Sequence, residues 1–293
     1  MNRLLQSTNQ RIVIGILAAA ISFLCLLRGG FLLLFASLLF ILLGVREYEQ
    51  ILEKKGIYPS AYIIVFVSFL ISSAAVFKFS NFILLILFFG ILLTFFSAIL
   101  FKKKPYIINI STTILGFLLS WLACFIIFLS QMNTKTISNS YYNITDGIGY
   151  IIFLVCIVII TDSSACYFGK KYGKKKLLEE ISPNKTVFGA VIGYIIAIIV
   201  SLIIGKYLLN ITLLNSFILG SLISVSSQFG DLSISLLKRD AGIKHSGTLF
   251  LENGGLLDRI DSFIFSAPLT FYYAQFLNIS NQQPINYIFN LLF

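Results

Sequence analysis

Long apolar segments are the feature that most constrains the fold of this chain. Nine of them follow one another with short polar stretches between, at residues 12–27, 31–45, 61–77, 82–101, 107–129, 148–168, 187–209, 213–237 and 260–277. A helix of roughly 20 residues crosses the ~30 Å hydrocarbon core of a bilayer, and most of these segments approach that length. We therefore predict an all-α polytopic integral membrane protein with about nine transmembrane helices.

The composition agrees with a membrane protein and argues against other classes. Hydrophobic residues make up 58% of the 293 residues and charged residues only 12%, whereas soluble domains carry roughly a quarter charged residues. The four cysteines lie in or beside apolar segments without the spacing of metal ligands, and the single histidine, His245, leaves no scope for a His-rich zinc site. We expect one membrane domain without a detached soluble domain.

The distribution of positive charge predicts the orientation. With a cytoplasmic N-terminus, only Arg28, Lys78, Lys135 and Lys206 fall in outer segments, and the other 18 of the 22 basic residues fall in inner segments. Cytoplasmic loops are enriched in Lys and Arg, so the N-terminus and the polar loops 169–186 and 238–259 are predicted to be cytoplasmic. Basic residues grouped between spans fit this rule better than a nucleic-acid-binding patch, so we expect a lipid bilayer and no nucleic acid as partner.

Polar sequence signal is concentrated in the second half of the chain. Residues 1–130 hold five nearly featureless spans and are predicted to form a lipid-facing scaffold. Residues 147–293 are predicted to form a transmembrane catalytic region that includes the two cytoplasmic loops. Residues 46–56 mix Glu and Lys and are expected to continue as a helix, while 133–146 are expected to form an outer loop.

Three acidic residues near the end of the chain predict a cation site. Asp258 and Asp261 are three residues apart, so both fall on one face of a helix. Asp231 lies within the preceding span, where an unpaired charge is costly. Mg²⁺ prefers oxygen ligands, and we predict that the three carboxylates share it. The alternative is that each Asp pairs with a nearby base, such as Arg259 or Lys238.

Basic residues follow Asp231 along the same helix. Ser235 comes four residues after Asp231 and Lys238 three residues after Ser235, so these side chains lie near one stripe, with Arg239 beside them. Lys and Arg at a helix end can bind phosphate, Arg through two parallel hydrogen bonds. The alternative is that they extend along the interface with their charged ends in water.

Two further segments predict contacts with anions. Lys185 and Thr186 open a helix, where side chains and free N–H groups can bind phosphate. Gly254 and Gly255 precede another helix start and suggest backbone amides directed at an anion. The arrangement of a P-loop is absent, and the lysines at 174–176 alternatively attract anionic lipid headgroups.

These residues resemble the sequence signature of the phosphatidate cytidylyltransferases, the CDP-diacylglycerol synthases. The family pattern reads Ser-x-x-Lys-Arg, four residues, Lys-Asp-x-Gly, and then Pro-x-His-Gly-Gly-x-x-Asp-Arg-x-Asp. At the corresponding spacings the chain carries Ser235, Lys238, Arg239, Lys244, Gly247, Gly254, Gly255, Asp258, Arg259 and Asp261. Asp162, residues 182–186 and residues 228–232 are similar to three further elements, so the resemblance covers roughly residues 160–270.

The resemblance implies transfer of CMP from CTP to phosphatidic acid, which yields CDP-diacylglycerol and pyrophosphate. It implies catalytic roles for Asp231, Lys238, Arg239, Asp258 and Asp261, and Mg²⁺ at Asp231, Asp258 and Asp261, with room for a second cation such as K⁺. Substrate-binding roles are implied for Asp162, Ser182, Lys185, Thr186, Ser235, Lys244, Gly254, Gly255 and Arg259. A homodimer is also implied. We expect a multi-pass protein of the bacterial inner (plasma) membrane with its active site on the cytoplasmic side.

The chain departs from the pattern at three signature positions. His245 replaces an Asp, Leu251 a Pro and Asn253 a His, and Phe188 stands where a polar residue is common. None of these changes removes an acid of the predicted metal site. Two alternatives stay open: a CTP-dependent enzyme for another lipid phosphate or a polyprenol, and a transporter whose acids line a cation or proton pathway.

Overall fold

The computed structural model describes residues 24–26, 28–101, 104–132, 146–247 and 254–282. The predicted span 12–27 and the predicted outer loop 133–146 lie almost wholly outside these residues. Leu251 and Asn253, two of the departures from the family pattern, lie outside them as well.

The described residues are mostly helical, as the apolar segments predict. Six helical stretches are long and apolar enough to cross a membrane: Gly30–Glu53, Ser80–Phe101, Tyr106–Ser130, Gly147–Tyr172, Val187–Leu208 and Leu213–Asp240. Ala61–Val76 forms a shorter apolar helix. A multi-span helical membrane protein is therefore confirmed, while the count of nine spans is not.

The chain divides into two compact units. The first comprises Met1–Ser130 and Ile243–Asp258, and the second comprises Gln131–Gly242 and Arg259–Phe293. The segment Ile243–Asp258, which carries half of the signature, thus belongs to the same unit as the N-terminal helices.

The first unit contains five helices, four of which pack around α2. These are α1 (Gly30–Glu53), α2 (Ala61–Val76), α3 (Ile83–Phe101), α4 (Tyr106–Gly116) and α5 (Leu118–Ser130). Positive φ angles at Gly29 and Gly30 form the turn that precedes α1. The polar residues after Val45 continue α1 without a break to Glu53, as predicted. The predicted span 107–129 is divided between α4 and α5 at Phe117.

The second unit is built on three long helices. They are α6 (Asp146–Tyr172), α7 (Val187–Leu208) and α8 (Leu213–Asp240), followed by α9 (Leu257–Ile260), which begins in the first unit, and α10 (Phe263–Gln282). Helix α7 packs against both α6 and α8, and α10 packs against α8. An added Cβ at Gly193 would lie 2.9 Å from the Thr161 carbonyl oxygen, so α6 and α7 touch through backbone.

A β-hairpin joins α6 to α7. Strand β1 (Lys176–Leu178) pairs antiparallel with β2 (Ser182–Thr186), and Lys176 is aligned with Thr186. The hairpin falls in the predicted cytoplasmic loop 169–186, whose first residues instead continue α6 to Tyr172. Lys185 therefore lies in β2, two residues before α7 begins, rather than at the opening of a helix as predicted.

Candidate active site

Carboxylates from three elements come together in the second unit. Asp162 lies on α6, Asp231 on α8, and Asp261 just before α10. Ser262 connects two of them: its backbone N–H donates to Asp261 Oδ1 at 2.8 Å, and its hydroxyl donates to Asp162 Oδ2 at 3.0 Å. Sequence reasoning assigned Asp162 to substrate binding and did not anticipate its link to Asp261 through a serine.

Asp231 forms an ion pair with Lys185. The Lys185 Nζ lies 2.5 Å from Asp231 Oδ2, and the Ser235 hydroxyl donates to Asp231 Oδ1 at 3.2 Å. The two ion-paired side chains are 28% and 26% exposed, so water still reaches them. The alternative of pairing with a base is thus realised for Asp231, but its partner is 46 positions away in sequence rather than the nearby Lys238 or Arg259.

Asp261 is surrounded by charges of both signs. The Asp231 and Asp162 carboxylates lie near its negative charge, whereas the Ser262 N–H and the Lys238 ammonium stabilise that charge. Asp261 is only 7% exposed.

The Lys238 side chain is buried, and the Arg239 side chain is hydrogen-bonded to the β1–β2 turn. Lys238 is 7% exposed, which does not fit a side chain extended along an interface with its charged end in water. Arg239 Nε donates to the Ile181 carbonyl oxygen in the β1–β2 turn at 3.0 Å. This contact brings the end of α8 to the hairpin that carries Lys185.

The remaining predicted residues of the second unit lie on the hairpin and on α9. Ser182 opens β2, and Thr186 ends it. The Thr186 hydroxyl accepts a hydrogen bond from Gly189 N at 3.1 Å and so caps α7. Arg259 lies on the short helix α9. Direct contacts of these residues with substrate stay predictions.

Asp258 organises a loop of the first unit. Its Oδ2 atom accepts hydrogen bonds from Ser246 N at 3.1 Å and Gly255 N at 3.2 Å, and His245 Nδ1 lies 3.7 Å away. The replacement His245 is therefore an immediate neighbour of one predicted metal ligand. Gly254 adopts a φ of 89°, and Lys244 is exposed.

Glu47 of α1 is a buried carboxylate that sequence reasoning missed. It is 5% exposed and accepts hydrogen bonds from the Ser246 hydroxyl, Leu256 N and Leu257 N. A signal was present in the sequence: Ile41, Gly44, Tyr48 and Ile51 follow the spacing of a buried helical face, and Glu47 falls on that face.

The donor chemistry of the cluster suits a hard cation. Carboxylate oxygens of Asp231 and Asp261, with serine hydroxyls beside them, are ligands of the kind that Mg²⁺ prefers. In the residues that the structure describes, no group of three or more His, Cys, Asp or Glu side chains is close enough to hold a metal ion. Lys185 supplies a positive charge next to Asp231. The metal ligands Asp231, Asp258 and Asp261 stay a prediction.

Comparison with known proteins shows a family match over most of the chain and a relative of similar length. Residues 9–277 match the cytidylyltransferase family. The chain is 34% identical over 291 residues to a phosphatidate cytidylyltransferase of Synechocystis, and the match covers 92% of this chain and 97% of that protein.

Other similarities are higher but shorter. They include 41% identity over 134 residues to the uncharacterized protein YnbB of Escherichia coli and 43% over 130 residues to a phosphatidate cytidylyltransferase of Staphylococcus saprophyticus. Each match spans about half of both proteins: 46% of this chain and 45% of YnbB, and 44% of this chain and 50% of the staphylococcal protein. From the extent of the family match and the nearly full-length similarity, the chain belongs to the cytidylyltransferase family.

Proposed function

We propose that this protein is a nucleotidyltransferase of phospholipid synthesis, which transfers CMP from CTP to phosphatidic acid. A phosphate oxygen of phosphatidate attacks the α-phosphorus of CTP. The new P–O bond gives CDP-diacylglycerol, and the bond between the α- and β-phosphates breaks to release pyrophosphate. The observation that carries the proposal is the cluster of carboxylates and lysines in the second unit of a chain that belongs to the cytidylyltransferase family.

Transfer of CMP requires groups that neutralise the negative charge of both substrates, and it does not require a covalent nucleophile. Both reactants are phosphate anions, and the lipid phosphate is already ionised. Lys185, Lys238 and Arg239 bind phosphate oxygens and stabilise the departing pyrophosphate. Arg239 has a planar fork of donors that suits two phosphate oxygens at once, whereas each lysine acts as a compact positive charge.

Mg²⁺ is the proposed cofactor, held by Asp231, Asp258 and Asp261, with K⁺ as a candidate second cation. When bound, it neutralises triphosphate charge that accumulates in the transition state. The ion pair between Lys185 and Asp231 then has a simple role: Lys185 keeps Asp231 compensated until phosphate oxygens draw the ammonium away.

The membrane arrangement is proposed from the charge distribution. The chain has nine spans, a cytoplasmic N-terminus and an active site on the cytoplasmic side of a bacterial plasma membrane. The acyl chains of phosphatidate enter sideways between apolar helices, while the headgroup stays at the cytoplasmic face. The protein acts as a homodimer.

A purified-enzyme assay tests the proposal directly. Detergent-solubilised protein is expected to form CDP-diacylglycerol and pyrophosphate from CTP and phosphatidate, and only with a divalent cation. Asp231→Asn and Asp258→Asn should each lower turnover at least ~100-fold because each removes a carboxylate that is proposed to hold Mg²⁺ against the reacting phosphates. Glu179→Gln, which removes an exposed carboxylate of the hairpin turn, is the matched control and should retain activity.

Three outcomes would contradict the proposal. Turnover of a polyprenyl phosphate or a free alcohol in preference to phosphatidate would indicate a different lipid substrate. Cation or proton flux through liposomes without CTP would indicate a transporter. Near-normal turnover of Asp258→Asn would remove Asp258 from the metal site.

A further inference from the structure

Glu47 has an unusual position for a carboxylate in a membrane helix. It is almost fully buried, and it contacts the segment Ile243–Asp258, which is about 200 residues later in the chain but in the same unit. Its Oε1 atom accepts from Leu256 N at 2.8 Å, and its Oε2 atom accepts from Leu257 N at 2.9 Å and from the Ser246 hydroxyl at 3.0 Å. Both carboxylate oxygens of Glu47 therefore accept hydrogen bonds.

Two of these donors have no partner within their own helix. Leu257 is the first residue of α9, and Leu256 immediately precedes it, so neither N–H can bond to an earlier turn. Both residues are buried, and a buried N–H without an acceptor is destabilising. Glu47 thus fixes where α9 starts, one residue before Asp258.

The loop is shaped around the Glu47 side chain. An added Cβ at Gly247 would lie 2.7 Å from Glu47 Oε1, and an added Cβ at Gly255 would overlap Glu47 Oε2 and the Ser246 hydroxyl. Contacts this short do not occur for ordinary Cβ atoms. A larger residue at either position would push the Glu47 carboxylate away from the three donors that hold it.

We propose that Glu47 is a positioning residue for nucleotidyl transfer, an inference that rests on the proposed function. Glu47 anchors Ser246, Leu256 and Leu257 to α1 and so fixes the backbone of Asp258, whose own carboxylate accepts hydrogen bonds from Ser246 N and Gly255 N. The two carboxylates bind neighbouring amides of one loop from two sides. The role of Glu47 is indirect: it touches the loop that carries Asp258 rather than the reacting phosphates.

Glu47→Gln is a sharp test because the substitution keeps the shape of the side chain. Glutamine has one acceptor oxygen and one donor NH₂ group. Whichever way its amide is turned, the N–H of Leu256 or of Leu257 faces another donor. Gly247→Ala disturbs the same contact from the loop side and leaves the carboxylate intact. Glu53→Gln, an exposed glutamate of the same helix, is the matched control.

Each variant is measured in two ways. Steady-state kinetics with CTP and phosphatidate should show kcat reduced ~10–100-fold, the usual range for residues that orient a functional group, with KM for CTP changed less than about threefold. Hydrogen exchange should become faster in peptides that cover residues 254–260 and stay unchanged in α6 and α7. The effects of Glu47→Gln and Gly247→Ala combined should be less than additive because both act on one contact.

Two results would overturn the inference. One is wild-type kcat for Glu47→Gln, within about twofold, with unchanged exchange at residues 254–260. The other is faster exchange throughout both units, with activity lost only in proportion to the folded fraction, which would make Glu47 a general stability residue. If the wild-type protein forms no CDP-diacylglycerol, the proposed function fails, while the exchange data alone still decide whether Glu47 holds the loop.

Discussion

Gly230 offers the most direct test of how tightly the second unit fixes Asp261. It lies in α8 one residue before Asp231, at the point where the helix passes the backbone of Asp261 and Ser262. An added Cβ would overlap the Asp261 carbonyl oxygen and would lie 3.2 Å from its carbonyl carbon and 3.3 Å from Ser262 Cα. These atoms are backbone, so they cannot avoid the methyl group by a side-chain rotation.

The expected magnitude follows from two opposing effects. Alanine in place of a helical glycine stabilises by about 0.5–1 kcal/mol, whereas overpacking of a dense interior costs about 1–3 kcal/mol. The net loss is small against the ~5–15 kcal/mol that holds a typical domain together, so the fold should survive. Relief of the overlap requires α8 and Asp261 to separate by on the order of 1 Å, and misplacement of that size costs about 100-fold in rate.

Gly230→Ala should therefore lower kcat/KM for CDP-diacylglycerol formation about 100-fold while the melting temperature in detergent changes by only a few degrees. Gly44→Ala is the matched control, since its added Cβ would meet only Leu257 Cδ2 at 3.8 Å, an ordinary contact. The reasoning is refuted if Gly230→Ala turns over at the wild-type rate. It is also refuted if lost activity simply follows lost folded protein.

A further prediction concerns charge. Lys185→Met should change the unfolding free energy by less than about 2 kcal/mol because the ion pair with Asp231 is partly exposed. KM for CTP should nevertheless rise ~10–100-fold because a charged hydrogen bond to phosphate is lost. Isothermal unfolding and steady-state kinetics would measure the two effects, and an unchanged KM would contradict the phosphate role of Lys185.

The sequence predicts the helices well because long apolar segments have few alternatives in a bilayer. The boundaries of α2, α7 and α8 lie within a few residues of the predicted spans. The interruption of 107–129 at Phe117 was not predicted, since both sides of it are equally apolar. The β1–β2 hairpin was also missed, because its strands are only three and five residues long and polar, and Pro183 weakens a strand pattern.

The structure brings several of the predicted site residues together, but through contacts that local spacing did not predict. Asp231, Lys185, Ser235 and Lys238 were all selected, and the structure gathers them in one unit. Local spacing suggested Lys238 or Arg259 as the base beside Asp231, whereas the partner is Lys185. A sequence reveals neighbours three or four residues apart on a helix, but it does not reveal which hairpin packs against that helix.

The backbone amides after Gly254 donate to anions, but these anions are side chains of the protein itself. Glycines before a helix start predict backbone N–H groups directed at an anion. In the structure the N–H groups of Gly255, Leu256 and Leu257 do donate to anions, and these are the carboxylates of Asp258 and Glu47. Amides already held by internal carboxylates are poorly placed to bind a triphosphate as well. In the proposed reaction, phosphate binding is therefore assigned to the cations of the second unit, while Gly247 and Gly255 leave room for the Glu47 carboxylate.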